Sequence, residues 1–331
     1  MAAKNTQMRK VQRHCMAVAA AANPAMNHVR VLELGDKMSE QPSRPQRPRE
    51  LQDPLNYYLY HPLAWHLARA LARTPISPNT VSVIGGLCVV MAAWAYAQPL
   101  YPAFALIGLA LHMSWHVFDG ADGDLARITG KASPIGEMVD GLCDYLSHIV
   151  LYLALGWLLH LSMGGVAYIW MLAAGIGHAI QSNHVEVQRR QYQYWVYATP
   201  WLRNSHQQGS ATAKSGFGGL VSLYLNMASS MTPYALKIDA AVAASQSDPA
   251  RLEQIRAAVK AEAPRLLFIC KVLGPNPRAI VLGLAMLIGG TGWHGALYYF
   301  VYQAIVLNAV LILSVLAHNA AARRIVARIG L

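Results

Sequence analysis

Charge is scarce in this chain. Asp, Glu, Lys and Arg make up 13% of its 331 residues and hydrophobic residues 55%, whereas a soluble domain carries roughly 25% charged residues. So little charge excludes a large water-facing surface and makes a bilayer protein the first reading. Cysteine is sparse as well. Cys15, Cys88, Cys143 and Cys270 show no metal-ligand spacing, which argues against a disulfide or zinc framework and leaves them as small hydrophobes in a reducing compartment. Acidic residues are outnumbered 16 to 27 by basic ones, a net charge of +11. No basic stripe with interleaved aromatics accompanies that excess, so nucleic acid is set aside as a partner. The Lys and Arg collect in loops between apolar segments, a pattern of membrane orientation and anionic-lipid contact.

Three stretches contain no Asp, Glu, Lys or Arg: 79–118, 145–185 and 279–322. Each is about 40 residues long, twice the roughly 20 that cross a bilayer. Each has an internal break, at Gln98–Pro102, Ser162–Gly165 and Gly289–Gly295, and so reads as two helices joined by a turn. Six spans follow, near 79–97, 102–118, 138–161, 165–184, 278–291 and 296–318, with the fifth able to begin nearer Leu266. Those turns lack Lys and Arg. Arg69, Arg73, Arg127, Lys131, the connection from Arg189 to Arg278, and Arg323, Arg324 and Arg328 all lie on the other side, which places both termini and that side in the cytoplasm.

Residues 1–50 are polar and without periodicity and read as a disordered tail, with Met38 a plausible alternative start. Removal of the first 37 residues should therefore be tolerated. Within 51–78, Leu59, Leu63, Leu67 and Leu71 recur every four positions, the pattern of an interfacial amphipathic helix. The membrane domain then occupies 79–331, with a polar cytoplasmic insertion at about 186–265 between the fourth and fifth spans. Inside it Gly209–Gly219 reads as a flexible loop, and Asp248-Pro249 opens a helix through Glu262 with Leu252, Ile255 and Val259 on one face. The run Arg189–Trp195 extends the fourth span, either as an aromatic belt with basic anchors or as part of an acceptor pocket. The fold expected is therefore an all-α integral membrane protein.

The chemistry concentrates at the second loop. Asp119 and Asp122 are three apart and share a helix face; Asp140 and Asp144 are four apart at the start of the next helix. A turn between the two helices brings the pairs together. Four converging carboxylates repel one another unless they bind cations, and oxygen ligands suit hard divalent ions such as Mg²⁺ or Mn²⁺. Gly123, Ala126 and Gly136 leave room for a phosphate to approach the backbone, and Arg127 can fork onto a phosphate oxygen. Lys131 is a further phosphate or acceptor contact. His112, His116 and His148 sit at helical spacing from the acids, either as interhelical contacts or lining the site.

The series Asp119-x2-Asp122-Gly123-x2-Ala126-Arg127-x8-Gly136-x3-Asp140-x3-Asp144 resembles, in every position and gap, the signature of the CDP-alcohol phosphotransferases. The resemblance implies transfer of a substituted phosphoryl group from a CDP-alcohol to an acceptor hydroxyl, with release of CMP, in phospholipid synthesis. It implies two divalent metals on Asp119, Asp122, Asp140 and Asp144, with Asp144 also the general base. Gly123, Ala126 and Arg127 would contact the CDP moiety, and the enzyme would be a homodimer. Six spans are similar to the phosphatidyltransferases that use CDP-diacylglycerol. Asp53–Leu63, Ser77–Asn79 and Ser133–Glu137 are similar instead to choline and ethanolamine phosphotransferases, which have more spans and act on a lipid hydroxyl. A transporter with an acidic ion site is the remaining non-enzyme alternative, although its acids belong near the bilayer midplane.

Overall fold

The computed structural model describes residues 47–98, 102–199, 225–227, 229–289 and 293–331, without the side chains of 134, 135 and 293. Residues 1–46 of the expected tail, the centre of the first turn, the 209–219 loop and residues 290–292 of the third turn lie outside the described residues.

Everything regular in the described chain is helical. A 3-10 turn at Arg49–Leu51 and a π turn at Asn56–Tyr60 lead into α1 (His61–Leu71). The long helices α2 (Pro78–Tyr96), α3 (Ala103–Ile128), α4 (Pro134–Met163) and α5 (Val166–Tyr197) follow. After the insertion's α6 (Pro233–Ala244) come α7 (Pro249–Val272), α8 (Pro275–Ile288) and α9 (Trp293–Val301), the last continued through a π turn at Tyr302–Val306 into α10 (Leu307–Arg328).

Helix starts are written locally. Ser77, Ser133 and Asp248 each precede a proline, and each side chain accepts a hydrogen bond from the backbone N–H three residues on, at Thr80, Gly136 and Arg251. The cap satisfies one orphan donor, and the proline occupies the position whose own N–H has no partner. α4 stops at Gly164, whose φ of +61° few side chains tolerate.

Among the described residues four helical stretches are long and apolar enough to cross a membrane: Pro78–Tyr96, Gly136–Met163, Pro249–Ile288 and His294–Arg328. The chain is thus an all-helical, multi-pass membrane protein. α3 and α5 fall outside that set. His112, Ser114, His116 and Asp119 lower the hydropathy of α3, and His178, Gln181, Ser182, Asn183 and His184 that of α5. His112, His116, Gln181, Asn183 and His184 are buried, so this polarity is turned inwards. α3 also runs ten residues beyond the expected end at 118, and α5 continues the expected 165–184 helix to Tyr197.

Small residues let the helices that carry the acids approach closely. A Cβ at Gly120 on α3 would stand 2.9 Å from that of Ala64 on α1, and one at Gly86 on α2 would lie 3.4 Å from the Cys143 carbonyl on α4. Ala64, Ala68, Ala121 and Leu125 are fully buried in this seam. α1 therefore packs through its alanines. The leucine stripe is divided: Leu67 and Leu71 rest against the seam, while Leu59 and Leu63 are exposed.

Three expectations need correction. Residues 47–50, expected within the disordered tail, are tied into the fold: Arg47 pairs with Asp124 at 3.4 Å and Glu50 accepts hydrogen bonds from Tyr192 at 3.2 Å and from Tyr197. The run Arg189–Trp195 is neither belt nor pocket. Tyr192 and Trp195 are buried in a core built with α6, α7 and α10, and Trp195 Nε1 donates to Asp239 at 2.6 Å. Finally, the insertion helix does not end at Glu262 but runs through Pro264 to Val272. Cys88, Cys143 and Cys270 are free.

Candidate active site

Two helices and the turn between them carry the acids. α3 presents Asp119 and Asp122, the chain reverses over 129–133, and α4 presents Asp140 and Asp144. Asp119, Asp140 and Asp144 each direct one carboxylate oxygen so that all three lie within 4.8 Å of one another, a set able to hold a metal ion. Asp122 stands beside this trio. It faces Asp140 but is buried, accepting from Ser82 Oγ at 2.5 Å through one oxygen and from the Gly123 N–H through the other. Three of the four expected carboxylates therefore share one point, and the fourth adjoins it. All their donor atoms are oxygens, which fits a hard divalent cation.

The residues expected around phosphate and nucleotide come together on one side of the acids. Gly123, Ala126, Arg127 and Lys131, with Asp122 and Asp140, line a cavity of about 100 Å³ between the ends of α2, α3 and α4. Arg127 is also engaged by Asp124, with its Nη2 2.5 Å from that carboxylate. Asp124, only 3% exposed, holds Arg47 as well, and this pairing fixes the guanidinium at the rim.

On the other side, Asp144 is held by residues that its spacing does not announce. Trp115 Nε1 donates to Asp144 Oδ1 at 2.6 Å, and His148 Nδ1 donates to the Asp144 carbonyl at 2.8 Å. The Trp115 ring lies 4.5 Å from that of His116 and 4.7 Å from that of His148. The three histidines noted in the sequence thus gather around one tryptophan next to the acids. Trp115 precedes Asp119 by four residues and shares its face, a signal available in the sequence. Ser82 lies 40 residues from Asp122, and no local pattern announces it.

Asp144 also borders a second, larger cavity of about 720 Å³ among α3, α4, α5, α8 and α9. Its lining includes neither Asp122 nor Asp140, and the two cavities share no residue.

Comparison with known proteins agrees with the geometry. A family model described as CDP-alcohol phosphatidyltransferase matches residues 75–232, which include all four aspartates. An archaetidylinositol phosphate synthase of Aeropyrum pernix is 33% identical over 94 residues, 27% of this chain and 45% of that protein. A phosphatidylinositol phosphate synthase of Mycobacteroides abscessus is 32% identical over 93 residues, covering 28% and 40%. Ethanolaminephosphotransferase 1 of Pongo abelii is 30% identical over 111 residues, covering 29% and 28%. The matched stretch spans less than half the length of each relative.

Proposed function

We propose that the chain, whose residues 75–232 match the CDP-alcohol phosphatidyltransferase family model, moves a substituted phosphoryl group from a CDP-alcohol to an acceptor hydroxyl, releasing CMP. The observation that carries this reading is the trio Asp119, Asp140 and Asp144 beside a small cavity that Arg127 and Lys131 help to line, with a second cavity bordering Asp144. The family match sets the transporter reading aside.

In this reading Asp119, Asp122, Asp140 and Asp144 hold two divalent ions, Mg²⁺ or Mn²⁺. When bound, such ions neutralise the pyrophosphate and stabilise the departing CMP. Gly123 and Ala126 let the nucleotide phosphates approach the backbone, Arg127 receives a phosphate oxygen, and Lys131 adds a second positive charge at the rim. Asp144 takes the proton of the acceptor hydroxyl. The acceptor oxygen bonds to the phosphorus bearing the donor's alcohol, the bond from that phosphorus to the CMP oxygen breaks, and its electron pair leaves with CMP. Trp115 keeps the Asp144 carboxylate turned towards the acceptor.

Six spans, with α3 and α5 crossing beside the four apolar stretches, complete the membrane domain. The cationic loops put the acids at the cytoplasmic boundary. α1 lies at the interface, 186–265 forms the cytoplasmic insertion, and the enzyme works as a homodimer. Six spans favour CDP-diacylglycerol as donor. A second reading, transfer from a CDP-aminoalcohol to a lipid hydroxyl, is supported by the ethanolaminephosphotransferase relative and by the wide cavity at Asp144.

The test is release of CMP by the purified protein with Mg²⁺ or Mn²⁺, supplied with CDP-diacylglycerol, CDP-choline or CDP-ethanolamine and a panel of acceptors. CMP formation that needs both metal and acceptor is expected. No CMP from any pairing would overturn the reading.

A further inference from the structure

The segment ahead of α1 reaches the nucleotide side of the acids through Arg47, whose backbone and side chain are both held. Gln52 Nε2 donates to the Arg47 carbonyl at 2.6 Å, so Gln52 Oε1 is left to accept from His61 Nδ1 at 2.8 Å. That assigns the imidazole proton to Nδ1 and leaves Nε2 with a lone pair, which accepts from Arg47 Nη1 at 2.7 Å. The guanidinium is thereby turned towards Asp124, with Nη2 3.4 Å from Oδ1.

The same carboxylate oxygen holds Arg127. Asp124 lies three residues before Arg127 on α3 and shares its face; the acid is buried, whereas the side chain of Arg127 is half exposed. The Arg127 guanidinium lies across Gly123, where a Cβ would stand 3.4 Å from Nη2 and 3.5 Å from Nη1. Arg127 is long and rich in rotamers. A carboxylate that pins it in the wall of the small cavity removes freedom that a phosphate would otherwise have to remove on binding. Asp124 also acts in the opposite sense, because its charge beside the guanidinium cancels the attraction of Arg127 for a phosphate. Arg47 removes that conflict. Two guanidiniums on one carboxylate leave one net positive charge at the mouth of the cavity, and Arg47 lies within electrostatic reach of Asp119 as well. Arg47 itself lines neither cavity, so its route to a ligand runs through Asp124.

We propose that Arg47 is a positioning residue of the donor site: it neutralises Asp124, Asp124 holds Arg127 in place, and Arg127 keeps its charge for a donor phosphate. This assignment rests on Arg127 receiving that phosphate in the transfer reaction. It makes the stretch from Arg47 to His61, which precedes the whole aspartate series, a working part of the nucleotide site.

The test is a double-mutant cycle on the full chain in lipid nanodiscs, read by calorimetric binding of CDP in the presence of Mg²⁺ and by steady-state CMP release. Arg47→Gln is expected to weaken CDP binding and to raise the KM for the CDP-alcohol about tenfold, with kcat little changed. The contact with Asp124 is a single one and no bidentate fork, so Arg47→Lys keeps the charge in place and should bind CDP within about threefold of the parent. Asp124→Asn keeps the acceptor oxygen but leaves no charge to neutralise, and in that background Arg47→Gln should alter CDP binding by less than about threefold. An equal loss in both backgrounds would overturn the proposal. So would a loss that Arg47→Lys shares, a fall in kcat at unchanged KM, or a lowered unfolding temperature with CDP affinity intact, which would make Arg47 a structural tie alone. Those outcomes leave the transferase reading standing. Parent protein that neither binds CDP nor releases CMP would overturn that reading and the role of Arg47 together.

Discussion

At the scale of single residues, the acids divide by their neighbours. Asp144 touches a tryptophan, a histidine and both other members of the trio; Asp122 is occupied by Ser82 and its own backbone neighbour. Asp144→Asn is expected to abolish CMP release while leaving thermal unfolding in detergent within a few degrees of the parent protein. Trp115→Phe keeps the ring but removes the indole donor. A hydrogen bond to a charged group is worth about 1.5–3 kcal/mol, so kcat should fall about tenfold or more, with the KM for the CDP-alcohol little changed. A matching rise in that KM would assign Trp115 to binding instead of to positioning Asp144. The four aspartates and their small neighbours were legible because helical spacing of 3 and 4 states which side chains share a face. Ser82, Asp124 and Arg47 were not, since their roles come from partners brought close by folding.

At the scale of elements, the proline-led caps explain why α2 and α7 begin where the sequence suggests and why α4 begins at Pro134, four residues before the expected 138. Their ends were less legible, because α3, α5 and α7 run on into polar sequence whose packing partners lie far along the chain. Glu262 shows how such partners act. It is fully buried on α7 and holds Arg265, Arg324 and Arg328 at 3.0–3.1 Å, tying the insertion to the end of α10. Those arginines are 44–61% exposed at the side chain, which tempers the loss, and Glu262→Ala should destabilise the protein by about 2 kcal/mol in denaturant titration. Glu50 ties the 3-10 turn to α5. Burial opposes its ionisation, but hydrogen bonds from Tyr197 and Tyr192 outweigh burial and lower its pKa. Its contribution is therefore complete above the ordinary glutamate value of about 4.3 and is lost as pH falls through the lower, folded value. The stability advantage over Glu50→Gln, present at pH 7, should fade in acid thermal scans.

At the scale of the whole molecule, the all-helical class and membrane character followed from three charge-free blocks, yet among the described residues four stretches pass on apolarity alone. α3 and α5 fall outside that set because they turn histidine and amide side chains into the interior, which lowers their hydropathy. The acids at their boundary should make the protein depend on metal for stability as well as turnover. Removing divalent ions with a chelator is expected to end CMP release and lower the unfolding temperature, and Mg²⁺ or Mn²⁺ to restore both, since an ion bound only by the folded state stabilises it.

The separation of the two cavities by the row of acids reaches beyond affinity. In the proposed reaction the nucleotide takes one side and the hydroxyl the other, so that entering and leaving oxygens would meet the phosphorus from opposite faces in a single displacement. The product should then carry the mirror arrangement at phosphorus, and a donor made chiral there by one sulfur should react with inversion of configuration. Retention would require two successive displacements and a covalent phosphoryl-protein species between them.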